Sequence, residues 1–283
     1  MKNKIAYQGV SGAYSEQACQ SAFPNLTPIA CESFLDAMLM VEEEKVMYAM
    51  VPLENSTAGR VEELYRLIPK VSLHIVGEHY ERVAHCLLGI NDTKIDDLKM
   101  VTSHPQALAQ CHNNINKLNL IPIAKFDTAG AAKEISETRN KSIGAVASKL
   151  AAKIYDLEIL QENFEDVGGN TTRFLILSSD AQIPTYDKTK DYITSIIFDV
   201  RNIPAALYKA LGGFATNSIN LLKLESYSPE GSLNATMFHA DIKGHIDTKS
   251  MQNALEELKF FSNKFKILGV YKSHHLRCSL TQA

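Results

Sequence analysis

From Ile5 to about Ile159, short β-rich runs alternate with stretches of helical period, the pattern of an α/β protein with largely parallel strands. Candidate strands occupy 5–7, 48–53, 100–102, 121–125 and 142–146. Between them Phe34, Met38 and Val41 recur at helical spacing within 33–42, and 105–118 reads as a helix with Pro105 at an allowed early position. Residues 72–90 depart from the alternation. They hold two β-rich runs, 73–79 and 83–88, with no helical pattern between them, and such a run can carry the chain from one lobe to another. A Gly- and Thr-rich loop near 163–174 leads into a strand at 173–177 that can return it.

At 283 residues the chain exceeds the roughly 100–200 usual for one domain, so two domains are expected. The stretch 178–190, with Ser, Asp, Pro and Lys and little apolar periodicity, reads as the linker. Beyond it come a strand at 193–200, a helix at 204–214 opened by Pro204, a strand at 219–225, and a hairpin turn at Glu230-Gly231 into a strand at 233–242. A helix with Met251, Leu255, Leu258 and Phe261 on one face and a strand at 265–271 complete the set. That β-α-β-β-α-β order is ferredoxin-like.

The net charge of -3 and the lack of a Lys/Arg stripe exclude nucleic acid as an expected partner. The basic opening at Lys2 and Lys4 is followed by an apolar run that Gln8 and Gly9 break far short of a signal peptide, and no segment has the apolar length of a membrane span. The five cysteines, Cys19, Cys31, Cys86, Cys111 and Cys278, form no Cys-x-x-Cys pair, which fits free thiols in a reducing cytoplasm.

In open parallel sheets, ligands gather at loops beyond the carboxyl ends of strands. Gly9-Val10-Ser11-Gly12 lies between a strand and a helix, where backbone N–H groups can hold a carboxylate or simply make a turn. Glu54-Asn55-Ser56-Thr57, Ser103-His104-Pro105-Gln106 and Asp127-Thr128-Ala129-Gly130 also open toward helices, and each contains ordinary N-cap residues. Capping does not account for Asn170-Thr171-Thr172-Arg173-Phe174, which precedes a strand. His104 is a candidate base and His274-His275 candidate metal ligands, yet no Cys/His/Asp cluster has metal-site spacing. There is no phosphate-binding loop, dinucleotide fingerprint or nucleophile elbow either.

Five motifs nevertheless resemble, in order, those of prephenate dehydratases. They are Tyr7-Gln8-Gly9 with Gly12-Ala13-Tyr14-Ser15, Val51-Pro52-Leu53-Glu54-Asn55-Ser56, Ser103-His104-Pro105-Gln106, Gly144-Ala145-Val146-Ala147 and Thr172-Arg173-Phe174. The C-terminal part resembles the ACT regulatory domain of that family. The resemblance implies a two-lobed, periplasmic-binding-protein-like catalytic domain at 1–180, with one lobe at about 1–78 and 160–180 and the other at about 79–159. A linker at 181–191, an ACT domain at 192–272 and a tail at 273–283 follow. The implied reaction takes carbon dioxide and the ring hydroxyl from prephenate to give phenylpyruvate for phenylalanine synthesis. Aromatisation drives it, so no metal or redox cofactor is expected. With no chorismate mutase segment before Met1, the monofunctional type is expected, as a homodimer or homotetramer in the cytoplasm.

The same resemblance distributes the roles. Thr172 takes the place that assists departure of the hydroxyl, by giving a proton or by orienting a water. Asn55, Ser103, Gln106 and Gln110 match positions that orient the ring and pyruvyl group, with Glu54 in support because a bare carboxylate would repel a dianion. Arg173 is a candidate carboxylate fork or a structural residue, Phe174 packs the ring or the core, and Ser11, Ser56 and Thr57 are candidate anion donors. For an L-phenylalanine effector the matching residues are Asn202, Pro204, Ala205, Ala206 and Leu207 with Glu225 and Ser226. The family commonly has Gly where Ala205 stands and Arg-Pro where Tyr227-Ser228 stands, which puts the geometry of that site in question. Two rivals remain: an arogenate or cyclohexadienyl dehydratase, and a non-catalytic amino-acid-binding sensor.

Overall fold

The structure, a computed structural model, describes residues 3–201, 203–228 and 236–280, with the backbone alone for 278–280. In chain order it forms β1 (Lys4–Gln8), α1 (Tyr14–Ala22), β2 (Thr27–Cys31), α2 (Phe34–Glu42), β3 (Tyr48–Asn55), β4 (Gly59–Arg60), α3 (Glu62–Leu67), β5 (His74–Arg82) and β6 (Cys86–Gly89). Next come β7 (Met100–Ser103), α4 (Pro105–Gln110), α5 (His112–Lys117), β8 (Ile121–Ala124), α6 (Thr128–Thr138), β9 (Ile143–Ala147), α7 (Lys149–Ile154), β10 (Glu158–Gln161) and β11 (Thr171–Ser178). The remainder is β12 (Tyr192–Val200), α8 (Ala206–Thr216), β13 (Leu221–Tyr227), β14 (Met237–Lys243), α9 (Lys249–Phe261), β15 (Ser262–Lys272) and α10 (His275–Leu280).

The chain divides into two compact units. Met1–Met40, Ala49–Val61 and His79–Phe174 make the first, and Val41–Tyr48, Glu62–Glu78 and Leu175–Ala283 the second. One sheet has the order β2-β1-β3-β11-β5, with β1 and β2 parallel from Lys4↔Thr27 to Gln8↔Cys31. Another runs β10-β6-β9-β7-β8. In it β7 is parallel to β8 and β9, whereas β6 is antiparallel to both β9 and β10. The expectation of largely parallel strands is corrected to a mixed sheet, because the link from β6 to β7 carries no α-helix to bring the chain back, so the two run in opposite senses on either side of β9. This sheet is covered on both faces. Cys86, Leu88, Ala145 and Ala147 pack with Ala129, Ala132 and Ile135 of α6, and Leu87, Val101 and Val146 with Ala107, Ile115 and Phe164. Burial on two faces explains why these strands read as continuous apolar runs.

In the second unit an antiparallel sheet orders its strands β13-β14-β12-β15 in the β-α-β-β-α-β sequence. Ile196, Phe198, Phe238, Ala240 and Ile242 face Ala210 and Phe214 of α8 and Met251, Ala254 and Leu258 of α9. Its other face is packed closely. A Cβ on Gly269 would stand 1.9 Å from the carbonyl oxygen of Ile75, so only glycine admits the start of β5 there. His245 Nε2 lies 2.8 Å from the Pro184 carbonyl, and Tyr192 donates to that of Thr185 at 3.0 Å, which pins the linker.

Several boundaries move for physical reasons. The helix expected at 105–118 breaks at Cys111 (φ -112, ψ 14), because the Asp166 carboxylate accepts from the N–H groups of Asn113 (2.8 Å) and Asn114 (3.0 Å) and starts a new helix, α5. Pro204 does not open α8. Ala205 takes the left-handed conformation (φ 58, ψ 26) and α8 starts after it. The strand expected at 173–177 begins at Thr171, so Thr172 is a strand residue rather than part of a preceding loop. β10 and Phe164 stay with the second sheet, so the return expected at 160 falls later. The Glu230-Gly231 turn and the first residues of 233–242 lie outside the described residues. Among the described residues no helix is long and apolar enough to cross a membrane.

Candidate active site

A cavity of about 1070 Å³ opens within the first unit. The turn after β1 brings Val10 and Ser11 to it, the ends of β3 and β11 bring Asn55, Thr172 and Phe174, and the link from β5 to β6 brings Val83 and His85. His104, Gln106 and Gln110 come from the start and end of α4, and Phe126 and Asp127 precede α6.

A line of hydrogen bonds runs along its wall. Asn55 Oδ1 accepts from the N–H groups of Thr57 (3.0 Å) and Ala58 (2.8 Å), an Asx turn that fixes the amide. Its Nδ2 donates to Thr172 Oγ1 at 2.9 Å and to Asn170 Oδ1 at 2.7 Å. Asn170 Nδ2 donates to Gln110 Oε1 at 3.1 Å, and that oxygen lies 2.8 Å from His85 Nε2. His85 Nδ1 is 2.8 Å from the Tyr14 hydroxyl, which also donates to the Ala84 carbonyl at 2.9 Å. Because Thr172 accepts from Asn55, its own proton is left for a group in the cavity.

Of the other expected residues, Ser11, His104, Gln106 and Phe174 line the cavity and the rest sit behind its wall. Side chains alternate along β11, so Thr172 and Phe174 line the cavity and Arg173 does not. Arg173 is buried, with Nη1 3.0 Å from Glu54 Oε1, an ion pair between β11 and β3. The expected carboxylate fork therefore lies off the cavity face. Ser56 Oγ accepts from Thr171 N at 3.0 Å, and Ser103, fully buried, donates to the Val146 carbonyl at 2.6 Å. Ser11 does reach the cavity, but its hydroxyl donates to Glu16 Oε2 at 3.0 Å, as do Gly12 N at 2.7 Å and Tyr7 at 3.1 Å. The chain's own carboxylate thus fills the anion position expected at this turn. His104 accepts from Gln106 N at 3.2 Å as the cap of α4.

Burial sets the protonation of the site. It pushes His85 down while the bond to Gln110 and the nearby Glu165 oppose it. Burial also keeps Tyr14 a phenol and holds Cys86, pushed up to about 11, as a thiol. Cys19, Cys31, Cys86 and Cys111 are all buried and free. Among the described residues no group of three or more His, Cys, Asp or Glu is placed to hold a metal ion.

Of the effector residues, Ala205 caps α8, Ala206 and Leu207 join the core of the second unit, and Glu225 and Ser226 lie on edge strand β13 opposite His239 and Phe238. Pro204 stands just before that cap, and Asn202 lies outside the described residues. Sequence reasoning missed His85, and it gave no role to Tyr14 and Asn170, although both lay within runs it had singled out. The available signal was a lone His inside the apolar run Val83-Ala84-His85-Cys86-Leu87-Leu88.

Fold and site together define a small-molecule enzyme whose wall carries amide and hydroxyl groups linked through the His85 ring. The sequence profile of the family described as prephenate dehydratase matches residues 5–182. The chain is 46% identical over 274 residues to a bifunctional N-acyl-homoserine lactone acylase/prephenate dehydratase of Komagataeibacter europaeus, covering 96% of this chain and 97% of that one. It is 43% identical to arogenate dehydratase 2 of Petunia hybrida, over 95% of this chain and 72% of that one. Among solved structures, the prephenate dehydratase of Arthrobacter aurescens in complex with L-Phe matches with a TM-score of 0.87 at 26% identity, over 95% of this chain and 90% of that one. A quorum quenching acylase, GqqA, matches with 0.91 at 46% identity, over 96% and 99%. The chain belongs to the prephenate dehydratase family, and it is a dehydratase, a lyase.

Proposed function

We propose that the substrate is prephenate and the product phenylpyruvate. The observation that carries this reading is Thr172 Oγ1, held by Asn55 at 2.9 Å with its proton available to the cavity. In the reaction the bond from ring to carboxylate breaks and its electron pair enters the ring. The bond to the ring hydroxyl breaks at the opposite carbon, and one proton converts the departing hydroxide to water. Hydroxide is a poor leaving group, so a positioned donor is worth about 10²–10⁴-fold. Thr172 supplies it or passes it from a water, Asn55 polarises Thr172, and Gln106 and Gln110 orient the substrate. Glu54 and Arg173 tie β3 to β11 and keep Asn55 opposite Thr172. Ser56, Ser103 and Thr57 support the same frame. Phenylpyruvate formation by the purified protein and by Thr172→Ala tests the reading, and a kcat within about tenfold of the parent would overturn the role of Thr172.

Two other substrates have specific support. A 43% identical relative is named an arogenate dehydratase and a 42% identical one an arogenate dehydratase/prephenate dehydratase, so kcat/KM on arogenate is to be compared with that on prephenate. The 46% identical relative is named as an N-acyl-homoserine lactone acylase as well, and a cavity of about 1070 Å³ with Val10, Val61, Val83 and Phe126 in its wall has room for an acyl chain. Release of homoserine lactone is its assay.

The catalytic part is further read as two-lobed and periplasmic-binding-protein-like, and 192–272 as an ACT domain that binds L-phenylalanine and makes a homodimer or homotetramer in the cytoplasm. The β-α-β-β-α-β order and the left-handed Ala205 at a position where the family commonly has Gly support this. Inhibition by saturating phenylalanine is expected.

A further inference from the structure

On the Gln110 side of His85 the bond directions follow from backbone N–H groups that only donate, and on the Tyr14 side they are argued from the Ala84 carbonyl, which only accepts. Backbone N–H groups occupy Asn55 Oδ1, so Asn55 donates to Asn170 Oδ1, Asn170 donates to Gln110 Oε1, and Gln110 can only accept from His85 Nε2. At the other ring nitrogen the Ala84 carbonyl takes the Tyr14 proton at 2.9 Å, which leaves the Tyr14 oxygen to accept from Nδ1 at 2.8 Å. A neutral ring would turn that proton to Nδ1 and leave two oxygens facing each other at 2.9 Å with no hydrogen between them.

A counter-charge is at hand. Glu165 is buried at 7% exposure, and its Oε2 accepts from the backbone N–H of His85 at 2.8 Å. Its Oε1 is buried with no hydrogen bond, and the exposed Arg82 reaches only to 3.9 Å. A carboxylate so placed is costly unless a cation faces it. The other titratable neighbours do not serve: Tyr14 of α1, Cys86 of β6 and Cys111 between α4 and α5 are held protonated by burial, and Asp166 is occupied by the start of α5.

We propose that His85 stands in the cavity wall as an imidazolium with Glu165 as its buried counter-ion, orienting Gln110 and giving the cavity a fixed positive charge for an anionic substrate. The substrate step rests on the dehydratase reading, but the charge state does not. Burial, the largest influence, holds the His85 pKa below its usual value against the opposing bond to Gln110 and the nearby Glu165; it is the bond directions that argue for the cation.

Nitrogen-edited NMR of the imidazole of His85 in the full chain, without substrate, tests this across pH. Both ring nitrogens are expected to carry protons at the pH of maximal activity, and Glu165→Gln, which keeps an oxygen for the His85 N–H, is expected to move the midpoint down by about one pH unit. The imidazolium exists below its midpoint, so the basic limb of kcat/KM should move down with it. A bare ring nitrogen in the parent protein, or an unmoved midpoint in the variant, would overturn the proposal. Turnover of prephenate with a neutral His85 would sink the proposal alone, and a cationic His85 without turnover would sink only the dehydratase reading.

Discussion

The two units each bury a polar network, and the networks are built differently. In the first unit, amides and hydroxyls run from Tyr14 through His85, Gln110, Asn170 and Asn55 and stop at Thr172, on a cavity. In the second, full charges end on one another. Glu78 accepts from Arg277 at 3.1 and 2.6 Å and from His274 N at 3.0 Å, Arg277 stands 3.9 Å from Asp241, and Ser195 bonds both Asp241 and Tyr271. Burial costs both networks. Charges that close on partners make a structural joint, whereas a line of donors and acceptors with an open end makes a site.

The largest expected effect breaks the joint. Glu78→Ala would take from Arg277, only 11% exposed at its side chain, its nearest carboxylate, and should lower stability by about 3–5 kcal/mol while the folded fraction keeps its kcat. Thermal unfolding and turnover measured on the same preparation check this. A loss of kcat without a loss of Tm would erase the contrast between the units. Thr172→Ala should do the reverse, lowering kcat about 100-fold, or about 2.7 kcal/mol, with Tm nearly unmoved because Asn55 still bonds Asn170. Ser195→Ala comes next. It leaves a buried Asp241 oxygen one donor short, and should cost about 1–3 kcal/mol of stability and no activity.

The contrast was half legible in the sequence. Repeats of period decided most of the elements, and Thr172, Asn55, Gln106 and Gln110, named from the family resemblance, line the cavity. What escaped was long-range or two-sided. β2 and β10 are edge strands with partly exposed patterns that carry little alternation. Arg173 was placed by its charge, but the two-residue period of β11 turns it toward Glu54. His85 meets partners 71 and 25 residues away, and nothing local marks it except its apolar neighbours. The Glu78–Arg277 joint spans 199 residues and had no local mark at all.

The smallest effect concerns the turns beside the two regions. At the cavity the strained positions are glycines, Gly9 (φ 128) and Gly12 (φ 89), and a Cβ on Gly12 would stand 2.9 Å from Ala151 Cα. In the second unit the equivalent strain falls on Ala205 (φ 58), which has a side chain. Left-handed backbone costs a non-glycine residue roughly 1–2 kcal/mol, while glycine loses about 0.5–1 kcal/mol more in chain entropy on folding. Ala205→Gly should therefore leave stability within about 1 kcal/mol of the parent, on the stabilising side. If the turn binds phenylalanine, removing the methyl should also lower the concentration for half-inhibition. Denaturation midpoints and phenylalanine titrations of the two proteins decide it: a destabilised variant with an unchanged response would mean that the turn is only a cap for α8.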